Sequence, residues 1–385
     1  MFHKMPFILA AVILSVILFG SFLPLTIQET LYAISLSIKT IIVFLLPVII
    51  FGLLFKAAVM LSGRATAMIG MILLLACCSS YFAAFLSHFI GIGIYHLDLS
   101  MITPQTSTTL EPLWTFDLPS IIANDKAMLG GIILGIALSK FHYPSANRLA
   151  VQLERFIGYF LKFFVYLIPF FVAGFVMKLK YDGVVGILVK DYAVIFLCVA
   201  LAQFTYILLA YFILSGAKFK AFLQSIKNML PAGISGFSTM SSAATMPLTL
   251  LGVEKNTKYP ELARSVVPAT VNIHLIGDCF ALPIFAYAIL KGFGMPEPTL
   301  MAYLIFTFYF VLAKFSVAGV PGGGVFVLLP VLQAHLGFSS NMLLMITTIY
   351  ILFDPVITCA NVMGNGAFAK FIDRVLGVYP MHTFI

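Results

Sequence analysis

Ser316-Val-Ala-Gly-Val-Pro-Gly-Gly-Gly324 is the stretch that decides the fold. Four glycines and a proline fall within the six residues Gly319 to Gly324, and a helix does not run through that composition. Apolar sequence resumes at once from Val325 to Leu332 with no charged boundary, so the turn belongs inside an apolar environment. Upstream, Gly236-Phe-Ser-Thr-Met-Ser-Ser-Ala-Ala-Thr-Met-Pro247 forms a second interruption, built from hydroxyls and small residues. Broken backbone at membrane depth survives only where protein or an aqueous cavity satisfies it. Two such segments in corresponding positions point to the solute site of a transporter. We therefore expect two re-entrant helical hairpins, 221–252 and 299–335, each paired with a spanning helix, 262–291 and 341–375. The plainer alternatives are close helix packing by small residues at the first tip and a surface loop at the second.

Composition supports this reading. Of 385 residues, 62% are hydrophobic and 9% charged, and the mean hydropathy is +1.09, which excludes an ordinary soluble domain. Apolar runs of about 20 residues or more recur, the length a helix needs to cross a hydrocarbon core of roughly 30 Å. The short alternating strands of a membrane barrel are missing from the sequence. The expected class is an all-α polytopic membrane protein forming one unit over 1–385. Six N-terminal spans lie within 1–215, near 6–27, 31–61, 66–95, 127–140, 155–178 and 191–215, with the transport core in 216–385. The first 24 residues have signal-peptide character, but no small-x-small cleavage pattern follows, and we read them as a retained span.

The net charge of +8 follows topology. Lys4, Arg64, the group Lys140, Arg148 and Arg155, then Lys218, Lys220 and Lys227, and finally Lys370 and Arg374 recur at alternate ends of the spans, whereas the loop from Asp98 to Asp117 is acidic. This positive-inside pattern predicts cytoplasmic termini. It leaves no basic aromatic face for nucleic acid. Five cysteines lie within apolar runs and read as small core residues, with no metal set.

The last apolar segment carries a polar stripe. On a helix, Asp354, Thr358, Asn361 and Asn365 project from one face. A carboxylate at mid-membrane costs roughly 2.5 to 3.5 kcal/mol, so Asp354 should face protein, water or a solute. In 262–291, His274 and Asp278 stand four apart and on a helix would touch across one turn, as a structural ion pair or a protonatable relay.

These motifs resemble the dicarboxylate/amino acid:cation symporter family, the glutamate-transporter-like proteins. Ser238-Thr-Met-Ser-Ser-Ala-Ala-Thr-Met-Pro247 is similar to its serine-rich first tip, Ala318-Gly-Val-Pro-Gly-Gly-Gly324 to its second, and Ala123 to Leu138 to its fourth span. The resemblance implies an elevator fold of eight transmembrane helices and two re-entrant hairpins, a homotrimer, and a third span that joins the mobile transport part. It implies that Asp354 holds a substrate amino group, with Thr358 beside it, and that Asn361 holds a carboxylate. Ser241 and Ser242 would close over that carboxylate together with Ala318, Gly319, Val320 and Pro321. For the coupling cation, sodium or proton, it implies Ser79, Ser80, Asn272, Asn361 and Asn365. No other cofactor is implied.

Departures from the family pattern narrow the substrate. Ile357 stands where acidic-substrate members place an arginine, and Met240 stands where some place one at the first tip. A buried acidic side chain would then lack a charge-assisted partner, a penalty of several kcal/mol, so a small neutral amino acid is expected. His274 replaces a sodium-binding Asp, Asn365 replaces another, and Ala76 replaces a tyrosine. Imidazole nitrogen is a poor ligand for a hard cation, so the sodium positions are weakened. A position built from backbone carbonyls near Pro268 to Asn272 could survive, and His274 with Asp278 could carry a proton. The alternatives are a dicarboxylate or acidic amino acid symporter with a divergent pocket, an anion-conducting channel, and a membrane-embedded hydrolase using Ser238 or Ser241 with His274 and Asp278. The last lacks a Gly-x-Ser-x-Gly elbow, and no enzymatic activity is expected. The expected location is a bacterial inner membrane, among lipids.

Overall fold

The computed structural model describes residues 5–61, 66–97, 110–119, 122, 124–140, 144–183, 185–317 and 321–376. Lys4, Arg64 and Asp98 of the charge pattern and Ala318, Gly319 and Val320 of the second tip lie outside the described residues. Among the described residues the chain is helical, with no strand. The helices are α1 (Met5–Phe19), α2 (Leu25–Leu61), α3 (Thr66–His96), α4 (Asn124–Lys140), α5 (Pro144–Tyr181), α6 (Val185–Leu214), α7 (Phe219–Thr239), α8 (Ser242–Glu254), α9 (Pro260–Thr270), α10 (Ile276–Gly292), α11 (Leu300–Ala313), α12 (Gly323–Leu336) and α13 (Ser340–Leu376). By length and composition, Gly70–His96, Tyr192–Leu214 and Ser340–Val375 could each cross a membrane.

α10 is the centre. Every residue from Ile276 to Leu290 is buried, as a helix apolar on all sides requires, and α3, α6 and α13 pack around it. The outer faces differ. Phe22, Phe156, Tyr159, Leu201 and Ile213 are all more than half exposed, apolar surface that water penalises and lipid covers.

Small residues set the closest helix crossings, as in membrane bundles generally. At Gly174 on α5, a Cβ would collide with the backbone oxygen of Leu31 on α2; at Gly131 on α4 it would lie 2.6 Å from the oxygen of Phe51. Backbone cannot swing aside as a flexible side chain does. Gly174→Val is therefore expected to destabilise the protein by roughly 3 kcal/mol or to abolish its accumulation, read as the detergent-solubilised melting temperature.

Both tips are helix breaks with identifiable causes. α7 ends at Met240, in the left-handed region at φ 53°, whose N–H returns to Gly236 O at 2.9 Å. Ser241 then adopts extended backbone and caps α8, its hydroxyl accepting from Ala244 N–H at 3.2 Å. This is the ordinary N-cap chemistry of serine. Past α11, a short 3-10 turn over Lys314–Ser316 leads into the second tip. Gly322 at φ 71° opens α12, a conformation glycine adopts freely.

The expected single helix over 262–291 is two. Ile273 and His274 both return their N–H groups to Thr270 O, at 2.9 and 2.8 Å, which turns the chain after α9, and α10 begins only at Ile276. Helical i, i+4 geometry therefore does not span His274 and Asp278. Their expected contact is replaced by separate partners, described below.

Candidate functional site

α13 carries the polar stripe into the core, where Asp354, Thr358, Asn361 and Asn365 are all buried. One turn of helix lets the Thr358 hydroxyl donate to Asp354 Oδ1 at 2.9 Å. Asp354 Oδ2 accepts from Gly322 N–H at 2.8 Å. Gly322 is the N-cap of α12, so this carboxylate sits at a helix N-terminus, where amides lack helical partners and the dipole favours an anion. Asp354 thereby latches the second tip to α13.

Asp278, on the first turn of α10, is a second buried carboxylate, 1% exposed. The Tyr350 hydroxyl donates to its Oδ1 at 2.6 Å and Asn361 Nδ2 donates to its Oδ2 at 2.8 Å. The Asp278 N–H returns a bond to Asn361 Oδ1 at 3.3 Å. Two glycines permit this closeness. A Cβ at Gly277 would strike the Ile357 carbonyl oxygen, and one at Gly324 would strike the Tyr350 hydroxyl and Asp278 Oδ1.

These groups line a cavity of about 20 Å³, room for about one water. Its walls are Asp354, Thr358, Asn361 and Tyr350 from α13, Ser242 and Met240 at the first tip, Val317 and Gly324 flanking the second, and Leu275 and Asp278 at the start of α10. Ser241 is buried at the same tip as the cap of α8, and Pro321 is buried beside Gly322. Ile357 is wholly buried, with its carbonyl against Gly277, and does not line this cavity. The cavity is too small for an amino acid. Breaking the Gly322 bond would leave Asp354 Oδ2 free to accept from another donor.

The residues expected to hold a cation are divided among other partners. Ser79 Oγ lies 2.9 Å from His274 Nε2, and the imidazole stacks on Phe368 with ring centres 4.2 Å apart. Ser80 Oγ accepts from Lys314 Nζ at 3.3 Å. Sodium seeks oxygens, preferably charged ones; at Ser79 and Ser80 it would meet an imidazole and an ammonium, so these residues do not fit it. Asn272 and Asn365 are different. Asn365 Nδ2 donates to Thr270 Oγ1 at 2.9 Å, but the Oδ1 atoms of both Asn272 and Asn365 are buried without a hydrogen-bond partner. Unpaired amide oxygens are the hard donors sodium takes, so these two residues fit a weakly held ion.

Sequence reasoning missed Tyr350 and Lys314. Tyr350 falls one turn before Asp354 on the same helix face, so extending the stripe backward finds it. Lys314 is the lone Lys, Arg, Asp or Glu between Glu297 and Asp354, and an ionisable residue in such a run is by default a functional-site hypothesis.

The model of the Sodium:dicarboxylate symporter family matches residues 5–375. The chain belongs to that family. It is 24% identical over 306 residues to "Putative sodium-dependent excitatory amino acid transporter glt-4" of Caenorhabditis elegans, an alignment covering 71% of this chain and 57% of that one. It is also 24% identical over 245 residues to excitatory amino acid transporter 1 of Rattus norvegicus and of Homo sapiens, covering 63% of this chain and 43% of each relative. The chain thus spans about half the length of the curated relatives it matches.

Proposed function

We propose that this symporter-family member is a secondary transporter moving a small amino acid, neutral rather than acidic, with sodium or proton coupling. The observation that carries the reading is the charge of the cavity: two carboxylates, Asp354 and Asp278, line it, and among the described residues no Lys or Arg does. A substrate ammonium finds an acceptor in Asp354. A second substrate carboxylate would meet two buried acids and no guanidinium, at a cost of several kcal/mol, which is the physical case against an acidic substrate. Ser241, Ser242 and the second tip, including Ala318 to Pro321, close over the solute, while Thr358 and Asn361 present the α13 face that the opened tip uncovers; Ile357, covered by α10 at Gly277, stays behind that face. Asn272 and Asn365 are the residues that would hold sodium.

In this reading α7–α8 and α11–α12 are re-entrant hairpins among eight spans, and the core built on α10 and α13 moves as an elevator against a scaffold that trimerises in a bacterial inner membrane with cytoplasmic termini. Uptake into proteoliposomes, with sodium and proton gradients imposed separately against an amino acid panel, tests it. Neutral amino acids are expected to accumulate and to compete with one another. Preferential uptake of glutamate or aspartate by the native protein would refute the substrate assignment, and current without saturable exchange would indicate a channel.

A further inference from the structure

Lys314 is wholly buried, at the end of α11 where the chain enters the second tip. Its Nζ donates to Leu275 O at 2.9 Å, to Cys279 Sγ at 2.8 Å and to Ser80 Oγ at 3.3 Å, and lies 5.7 Å from the centre of the Phe310 ring. An ammonium has three N–H groups and accepts nothing; here it meets three neutral acceptors from three elements, α3, the α9–α10 connection and α10. Leu275 O is a carbonyl at the break where α10 begins, and Leu275 also lines the cavity beside Asp354 and Asp278. Such a carbonyl with a neighbouring hydroxyl is what a small cation seeks. The structure offers this one a cation fixed to the chain instead, next to Ser79 and His274, which bond each other.

We propose that Lys314 is a tethered cation. Its ammonium holds the place at the α9–α10 break that a mobile ion would otherwise take, and it stays with the second tip through the cycle. One fewer ion then travels with the solute, and any sodium response of the native protein comes from elsewhere, Asn272 and Asn365 being the residues with free oxygens. The stoichiometric consequence rests on the transporter reading above; the charge assignment does not.

The test uses the purified full chain and needs no transported solute. Melting temperature is measured in sodium, methylammonium or choline chloride at equal ionic strength for the native protein and for Lys314→Ala. Truncation is expected to open a site for a small cation, so the deficit of K314A relative to native protein should be large in choline and shrink by roughly 5 °C or more in saturating sodium or methylammonium, as linkage requires of a ligand bound only to the folded state. An equal deficit in all three salts makes Lys314 a structural strut and overturns the proposal. Should K314A fail to accumulate, Ser80→Asp decides: a carboxylate placed against Nζ is tolerated by a charged lysine, so a melting temperature near native is expected, and loss of the folded protein overturns the assignment. Neither readout changes if the solute proves to be of another class, so failure of the substrate reading and failure of this one are distinguishable.

Discussion

Asp354→Asn is expected to reduce saturable uptake by about a hundredfold, the size of a lost hydrogen bond to a charged group. The side chain does two things at once. Its Oδ2 accepts from Gly322 N–H and its Oδ1 from the Thr358 hydroxyl, and in the proposed cycle Oδ2 exchanges the Gly322 amide for the ammonium of the solute. Asparagine keeps shape and can keep the Thr358 bond through its oxygen. Its amide nitrogen then faces Gly322 N–H, donor against donor, and it brings no charge to a bound ammonium. Both states are weakened, but the amine complex more, because only there is the partner fully charged. The expected result is a rise in half-saturation concentration for amino acids together with lower thermal stability. Thr358→Val removes one hydrogen bond to the same carboxylate but leaves its charge in place, so it should cost less, roughly tenfold. If D354N transports normally while T358V does not, Asp354 is a structural latch and the amine assignment fails. The measurement is initial uptake against concentration in proteoliposomes.

How far the sequence revealed this arrangement depends on which interactions are local. Long apolar runs were legible as helices because the bilayer sets their length, and the two breaks were legible because glycine and clustered hydroxyls act on their own backbone at Gly322 and Ser241. The stripe on α13 was legible for the same reason, since its spacing lies within one helix. Non-local partners were not legible. His274 and Asp278 are four apart in sequence, yet the turn on Thr270 O separates them, sending His274 to Ser79 on α3 and Asp278 to Tyr350 and Asn361 on α13. Nothing in residues 262–291 alone identifies those partners. Ile357, singled out as a guide to the substrate, is closed off against Gly277; the charge argument passes to Asp278, whose place in the cavity depends on the packing of α10 against α13. Lys314 was visible as an isolated charge, but its meaning lies in acceptors 35 to 234 residues away.

That packing predicts the second large effect. Gly277→Ala adds one methyl where α10 crosses α13, directly into the carbonyl oxygen of Ile357, with Asn361 Oδ1 3.0 Å from the new carbon. Neither neighbour can yield cheaply. The Ile357 carbonyl belongs to the backbone of a long buried helix, and the Asn361 amide is already tied to Asp278 through two bonds. The helices must separate, at a cost of about 3 kcal/mol, the upper part of the range for overpacking. Separation also moves Asp278 relative to Asn361, so uptake should fall even in the fraction that remains folded. The same substitution at Gly70 or Gly93 on α3, where an added Cβ meets nothing within 4 Å, should be neutral or stabilising by up to ~1 kcal/mol, since alanine is the better helix former. Melting temperatures of the three variants in one detergent separate the two cases. If Gly277→Ala melts with Gly70→Ala and Gly93→Ala, the α10–α13 crossing is not the close backbone contact described, and the geometry that places both carboxylates in one cavity falls with it.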